Sequence, residues 1–144
     1  MGQATPAVHL RLHGDPEPTR TLRRVLDEIG ARYGVARDDL FELKVAATEA
    51  LTNAIKGAGK PHGVDVAVEP HAGAIDVEVR NRGAFRLSTA TLADVDAEGG
   101  RGIPLMFALV DEVEFASTAR GTRVRIRKRF RGLRPVDAAV GLPR

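Results

Sequence analysis

Three polar side chains on one helical stretch are the first candidates for chemistry. Glu49, Asn53 and Lys56 stand at i, i+4 and i+7. With Leu40 set at zero and 100° per residue, they fall at about 180°, 220° and 160°. That is opposite an apolar stripe of Leu40, Leu43, Ala47, Leu51 and Ala54. A carboxylate and an amide one turn apart offer hard oxygens that can hold Mg²⁺ and its waters. A lysine one turn further on can meet a phosphate. The same arrangement is what any surface helix displays, so the chemistry has to be argued from what surrounds it.

Two glycine-rich segments supply that context. Asn81-Arg82-Gly83-Ala84 follows a strand-like run. It reads as a turn, or as a polar side chain beside a bare backbone where a flat ring approaches closely over Gly83. Gly99-Gly100-Arg101-Gly102 precedes Ile103-Pro104-Leu105-Met106. A glycine loop feeding a helix N-terminus presents free N–H groups to anionic oxygens, and Arg101 adds a forked cationic donor. Gly121-Thr122 sits at a turn between the last two strands. Other chemistries drop out. Gly59-Lys60 has no Ser or Thr after the lysine and no P-loop glycine before it, and no dinucleotide fingerprint follows a strand. The chain has no Cys, which removes disulfides and thiolate chemistry. His9, His13, His62 and His71 are scattered without helical ligand spacing.

The elements that must position these groups follow from two periods. Alternation marks strands around Val8, Leu10 and Leu12; Val64, Val66 and Val68; Ile75, Val77 and Val79, ending near Arg80; Val113 and Phe115; and Val124 and Ile126. Helical spacing marks Leu22, Val25, Leu26, Ile29 and Tyr33, then the Leu40 stripe, then a shorter helix from near Ile103. Residues 88–97 read as a weak helix or a loop. Strands with one polar face and hairpin links predict an α/β (α+β) two-layer sandwich, its mixed, mostly antiparallel sheet covered on one face by helices. At 144 residues the chain holds one domain, assigned to residues 1–131, with residues 132–144 a basic, flexible C-terminal tail.

Composition narrows the class. Hydrophobic residues are 43% and charged residues 28%, which suits a folded soluble domain. No apolar run approaches a membrane span, and the N-terminus lacks a secretory pattern. These features imply a cytoplasmic protein with no membrane partner. The net charge is +3, yet residues 120–144 carry nine Arg or Lys and one acid, Asp137. Arg123, Arg125, Arg127 and Arg129 share one strand face, as a nucleic-acid binder would require. With Phe130 the one aromatic nearby, base stacking has little support, so nucleic acid is the disfavoured partner.

The order of the weak signals is more specific than any one of them. Glu49-x-x-x-Asn53, Asn81-x-Gly83, Gly100-x-Gly102 and Gly121-Thr122 together resemble the four boxes of the GHKL (Bergerat-fold) ATPases. Ala46-Ala47-Thr48-Glu49-Ala50-Leu51-Thr52-Asn53-Ala54-Ile55-Lys56 and residues 99–106 are especially similar to the anti-sigma factor serine kinases, over roughly residues 8–130 in all. The resemblance implies a Bergerat ATP-binding fold with ATP and Mg²⁺ as cofactors. It implies that Asn53 holds Mg²⁺ and that Glu49 is the catalytic base or orients the attacking hydroxyl. Lys56, Gly100, Arg101 and Gly102 would serve the phosphates, and Asn81, Gly83 and Thr122 the adenine. It further implies transfer of the γ-phosphate to a Ser or Thr of an anti-sigma antagonist, binding to a sigma factor, and pairing as a homodimer. The family has Asp where this chain has Asn81. On sequence grounds, restoring Asp there should tighten ATP. The alternative is a kinase-inactive module of the same fold that sequesters a protein partner.

Overall fold

The computed structural model describes residues 7–12, 15–58, 63–82, 102–118, 121–130, 136–137 and 142–143. Two helices come early. α1 spans Pro18–Tyr33, with Pro18 in the first turn, where its missing N–H is no loss. Asp15 accepts the Glu17 N–H at 2.8 Å and the Thr21 hydroxyl at 2.7 Å. Those bonds hold its carboxyl below the ordinary range. α1 stops at Gly34, which adopts φ 67° and returns its N–H to the Gly30 carbonyl. α2 spans Arg37–Ala58, with Asp38 and Asp39 in its first turn and Lys56 in its last, all matched to the helix dipole. The two helices cross closely at Gly30, where a β-carbon would lie 2.6 Å from Leu40 Cδ2.

The sheet holds β1 (Val8–Arg11), β2 (Val64–His71), β3 (Ala74–Arg82), β4 (Glu112–Thr118) and β5 (Gly121–Arg129) in the order β1-β2-β3-β5-β4. Every pairing in it is antiparallel. Insertion of β5 between β3 and β4 makes the chain cross to the far edge before it returns. α3 (Gly102–Leu109) makes that crossing. A further two-residue ladder pairs β6 (Val136–Asp137) with β7 (Leu142–Pro143) inside the C-terminal segment. The expected two-layer α/β sandwich is what the chain forms. Two boundaries differ slightly: β3 runs on to Arg82 rather than ending near Arg80, and α3 opens at Gly102. The segment over residues 88–97 lies outside the described residues.

Alternation sorts the sheet into two faces. Val66, Val68, Ile75, Val77, Val79 and Ile126 point to the helices and are 2% exposed or less. Leu22, Leu26, Leu43 and Leu51 meet them from α1 and α2. Burial of this kind contributes about 1.5–3 kcal/mol for each large aliphatic side chain. The α2 face is wider than the leucine stripe alone implies, because Ala46, Ala47, Ala50 and Ala54 are buried as well. Ala46 and Ala50 lie at about 240° and 280° on the scale above, so the buried arc centres near 300°. The correction matters for Asn53. It stands beside the buried face, half-buried, rather than opposite it.

Gly34 gives a direct test of the α1 stop. An alanine there carries a β-carbon into the left-handed region, at a cost of about 1 kcal/mol. Gly34→Ala should therefore lower the melting temperature by roughly 4 °C, with Gly34→Asn recovering part of the loss in the same thermal melt.

Candidate functional site

The termini of β3 and β5 and the last turns of α2 meet around a small hollow that is partly open to solvent. Ala50, Asn53 and Ala54 line it from α2. Val79 and Asn81 come from β3, Thr122 and Val124 from β5, Met106 from α3 and Phe115 from β4. The lining that faces the hollow is almost wholly apolar. Such a lining suits the face of a flat, mostly apolar ring.

Asn81 is held at the floor by both ends of its amide. Its register partners are Val64 on β2 and Thr122 on β5. It continues the inward row Ile75, Val77, Val79, and so it is buried. Nδ2 donates to the Ala54 carbonyl of α2 at 3.2 Å. Oδ1 accepts the Thr122 N–H of β5 at 3.0 Å. One side chain thus joins a helix and two strands, and it satisfies two backbone groups that would be costly to bury unpaired.

The structure brings together Asn53, Asn81 and Thr122 out of the sequence-predicted set. Glu49 lies one turn before Asn53 on α2, half-buried, and Lys56 lies near the end of that helix, exposed. Neither is among the residues lining the hollow. Neither Glu49 nor Asn53 makes a side-chain hydrogen bond or ion pair among the described residues. Gly102 is the first residue of α3, whose Met106 forms a wall of the same hollow. Gly83, Gly100 and Arg101 lie outside the described residues. Sequence reasoning missed the wall residues Ala50, Met106 and Phe115. The helical spacing of Met106 was the one available signal for them.

A second polar link holds the far end of α3. Lys128 stands on the inward row of β5, nearly buried. Its Nζ donates to Glu42 Oε1 of α2 at 2.7 Å and to the Leu109 carbonyl at 2.9 Å. A cation on the last carbonyls of a helix is favourable for its dipole.

An antiparallel sheet under two helices, with an open-ended hollow between helix and sheet, fits a histidine kinase-like ATPase. Residues 12–128 match the histidine kinase-like ATPase domain, and the chain belongs to that family. Among curated relatives, the serine-protein kinase RsbW of Bacillus subtilis is 27% identical over 141 residues, covering 88% of each chain. The serine-protein kinase RsbW of Bacillus licheniformis is 29% identical over 127 residues, covering 78% of this chain and 79% of that one. The crystal structure of the RsbU and RsbW domains of Rv1364c from Mycobacterium tuberculosis superposes with a TM-score of 0.64 at 24% identity. That match covers 92% of this chain and 35% of the Mycobacterium chain, and it supports the fold.

The outer face of the sheet is a lattice of opposite charges. Arg127 grips the buried Asp76 with both arms, Nε to Oδ1 at 2.6 Å and Nη2 to Oδ2 at 2.8 Å. His71 Nε2 adds a contact to Asp76 Oδ2 at 3.0 Å. Arg125 pairs with Glu114, and Arg129 with Glu112. Three of the four arginines in the row are thus paired with the sheet's own carboxylates, which leaves fewer free cations for phosphate binding. Among the described residues no helix is long and apolar enough to cross a membrane.

Burial pushes the Asp76 carboxyl up, but the hydrogen bonds and charge of Arg127, with help from His71, outweigh it and hold it below its usual range. A depressed folded value means that this contribution is complete above the unfolded value of about 3.9 and is lost as pH falls through the folded one. Arg127→Met should cost about 3 kcal/mol at neutral pH by leaving a buried carboxylate with only His71 beside it. Burial then dominates and the sign inverts. In urea melts the variant should gain stability as pH is lowered from 7.5 to 4.5, while the native chain does not.

Proposed function

We propose that this chain is an ATP-dependent protein serine/threonine kinase of a bacterial sigma-factor switch. In this reading it binds a sigma factor and transfers the γ-phosphate of ATP to a Ser or Thr of an anti-sigma antagonist in the cytoplasm. The observation that carries the reading is the convergence of Asn53, Asn81 and Thr122 on one hollow, with Glu49 one turn away on the same helix. Membership of the histidine kinase-like ATPase family and the serine-protein kinase names of the relatives support it.

The roles follow from position. The apolar walls from Val79, Met106 and Val124 exclude water from the base, and Asn81 and Thr122 meet its polar edge. Asn53 offers a hard amide oxygen that no described residue engages, a donor that fits Mg²⁺. When bound, the ion neutralises charge on the phosphates. Glu49 accepts the proton of the incoming hydroxyl, or orients that hydroxyl in line with the γ-phosphate. Lys56 and the segment Gly100, Arg101 and Gly102 approach the phosphate oxygens. The second reading keeps the fold and the partner and drops the transfer. What favours it is Asn81 standing where the family places Asp.

Transfer of labelled γ-phosphate to an anti-sigma antagonist separates the two. Glu49→Ala should slow transfer at least about 100-fold while ATP affinity and sigma-factor binding persist. A native chain that binds ATP yet labels no antagonist rejects the kinase and leaves the sequestering module.

A further inference from the structure

Three consecutive residues of β5 grip the corner where α3 runs into β4. The Arg127 carbonyl accepts the Asp111 N–H at 2.9 Å, and the Arg129 N–H donates to Asp111 Oδ2 at 2.7 Å. Both bonds tie the corner to the sheet alone. Between them Lys128 turns inward, its side chain 12% exposed. Its Nζ donates to the Leu109 carbonyl at 2.9 Å and to Glu42 Oε1 at 2.7 Å. The second bond carries the attachment across to α2.

The place of Glu42 on α2 gives the link its reach. Glu42, Glu49 and Asn53 stand at i, i+7 and i+11, at about 200°, 180° and 220°, and so share one stripe. Glu42 precedes Asn53 by about 16 Å along the helix axis. α3 packs against α2. Leu109 is gripped at the Glu42 end, and Met106, one turn earlier, lines the hollow with Ala50 and Asn53. Apolar packing between two helices is non-directional. An ammonium bonded to a carbonyl of one and a carboxylate of the other gives them a fixed register.

We propose that Lys128 is a positioning residue for the nucleotide: through Glu42 it fixes α3 against α2, and with it the place of the Met106 wall. The effect on nucleotide rests on the ATP reading above; the fixing of Met106 does not. Neither Lys128 nor Glu42 lines the hollow. Cutting the link therefore leaves the lining unchanged in composition and alters only how its α3 side is held. Binding in the ground state and in the transition state falls alike, so KM for ATP rises while kcat is kept.

Two measurements test this. Met1 and Met106 are the two methionines of the chain, so ¹³C-methyl labelling reads Met106 directly, with Met106→Leu assigning its line. Without nucleotide, Lys128→Leu and Glu42→Ala should both shift that line. Gly34→Ala, which loosens the chain at the end of α1, should not. Glu42→Ala leaves the bond from Lys128 to Leu109 in place and introduces a good helix former, so it carries the test if Lys128→Leu fails to fold. A line unmoved in Glu42→Ala overturns the fixing of α3. In calorimetric titration with ATP and Mg²⁺, the two link variants should bind at least about threefold more weakly than the native chain, and Gly34→Ala as tightly as it. In the transfer assay their KM for ATP should rise by the same factor with kcat unchanged. Unaltered ATP affinity in the link variants, or equal weakening by Gly34→Ala, overturns the positioning role and leaves the ATP reading standing. A native chain that binds no ATP overturns that reading and the positioning role together, and the Met106 line still decides the fixing of α3.

Discussion

α2 must cover the sheet and carry the site at once, and the alanines along it make both possible. Ala46, Ala47, Ala50 and Ala54 are all buried. Their small size lets the helix backbone sit low enough over β3 for the Asn81 amide to reach the Ala54 carbonyl directly. Larger aliphatic residues at these positions would overpack the layer, at a typical cost of about 1–3 kcal/mol, and would lift the helix away from Asn81. The same low seat leaves space beside Ala50 and Ala54 that becomes the hollow. Asn53 occupies the boundary between that space and solvent, so the geometry of the core and the geometry of the site are set by one contact.

The sheet divides its labour by face. Inward rows are aliphatic until their ends, where Asn81 and Thr122 at one end and Lys128 at the other break the pattern. Each of these polar residues is satisfied by backbone or by a carboxylate, which keeps the burial tolerable. The outward rows mostly set opposite charges across neighbouring strands, such as Glu114 across from Arg125, with Arg80 across from Arg123 the exception. That face stays polar without becoming a free cationic surface. The excess of arginine near the C-terminus therefore says more about cross-strand pairing than about a nucleic-acid partner.

Strands and helices were legible because burial on one side imposes a period of two or 3.6, and Val64 to Val68 or Leu22 to Ile29 repeat it without interruption. The ordering of Glu49, Asn53, Asn81 and the glycines pointed to the family before any contact was known. The partners of Asn81 were not legible. They are backbone atoms 27 and 41 residues away, and no side-chain pattern records a carbonyl. The breadth of the α2 face was hidden for a related reason: alanine adds little to an apolar stripe, yet Ala46 and Ala50 are as buried as the leucines. Lys128 read as one more cation, and its role appears only when Glu42 and the end of α3 are brought to it.

α3 is anchored unequally, and that bears on how the wall it provides can hold its place. It is eight residues long, too short for its own hydrogen bonds to keep it in position. Its C-terminal carbonyl at Leu109 is fixed through Lys128 to α2. Its N-terminus opens on Gly102. Met106 packs fully buried between these ends. With one end tied to the helix that carries Asn53, Met106 is held in position against the hollow.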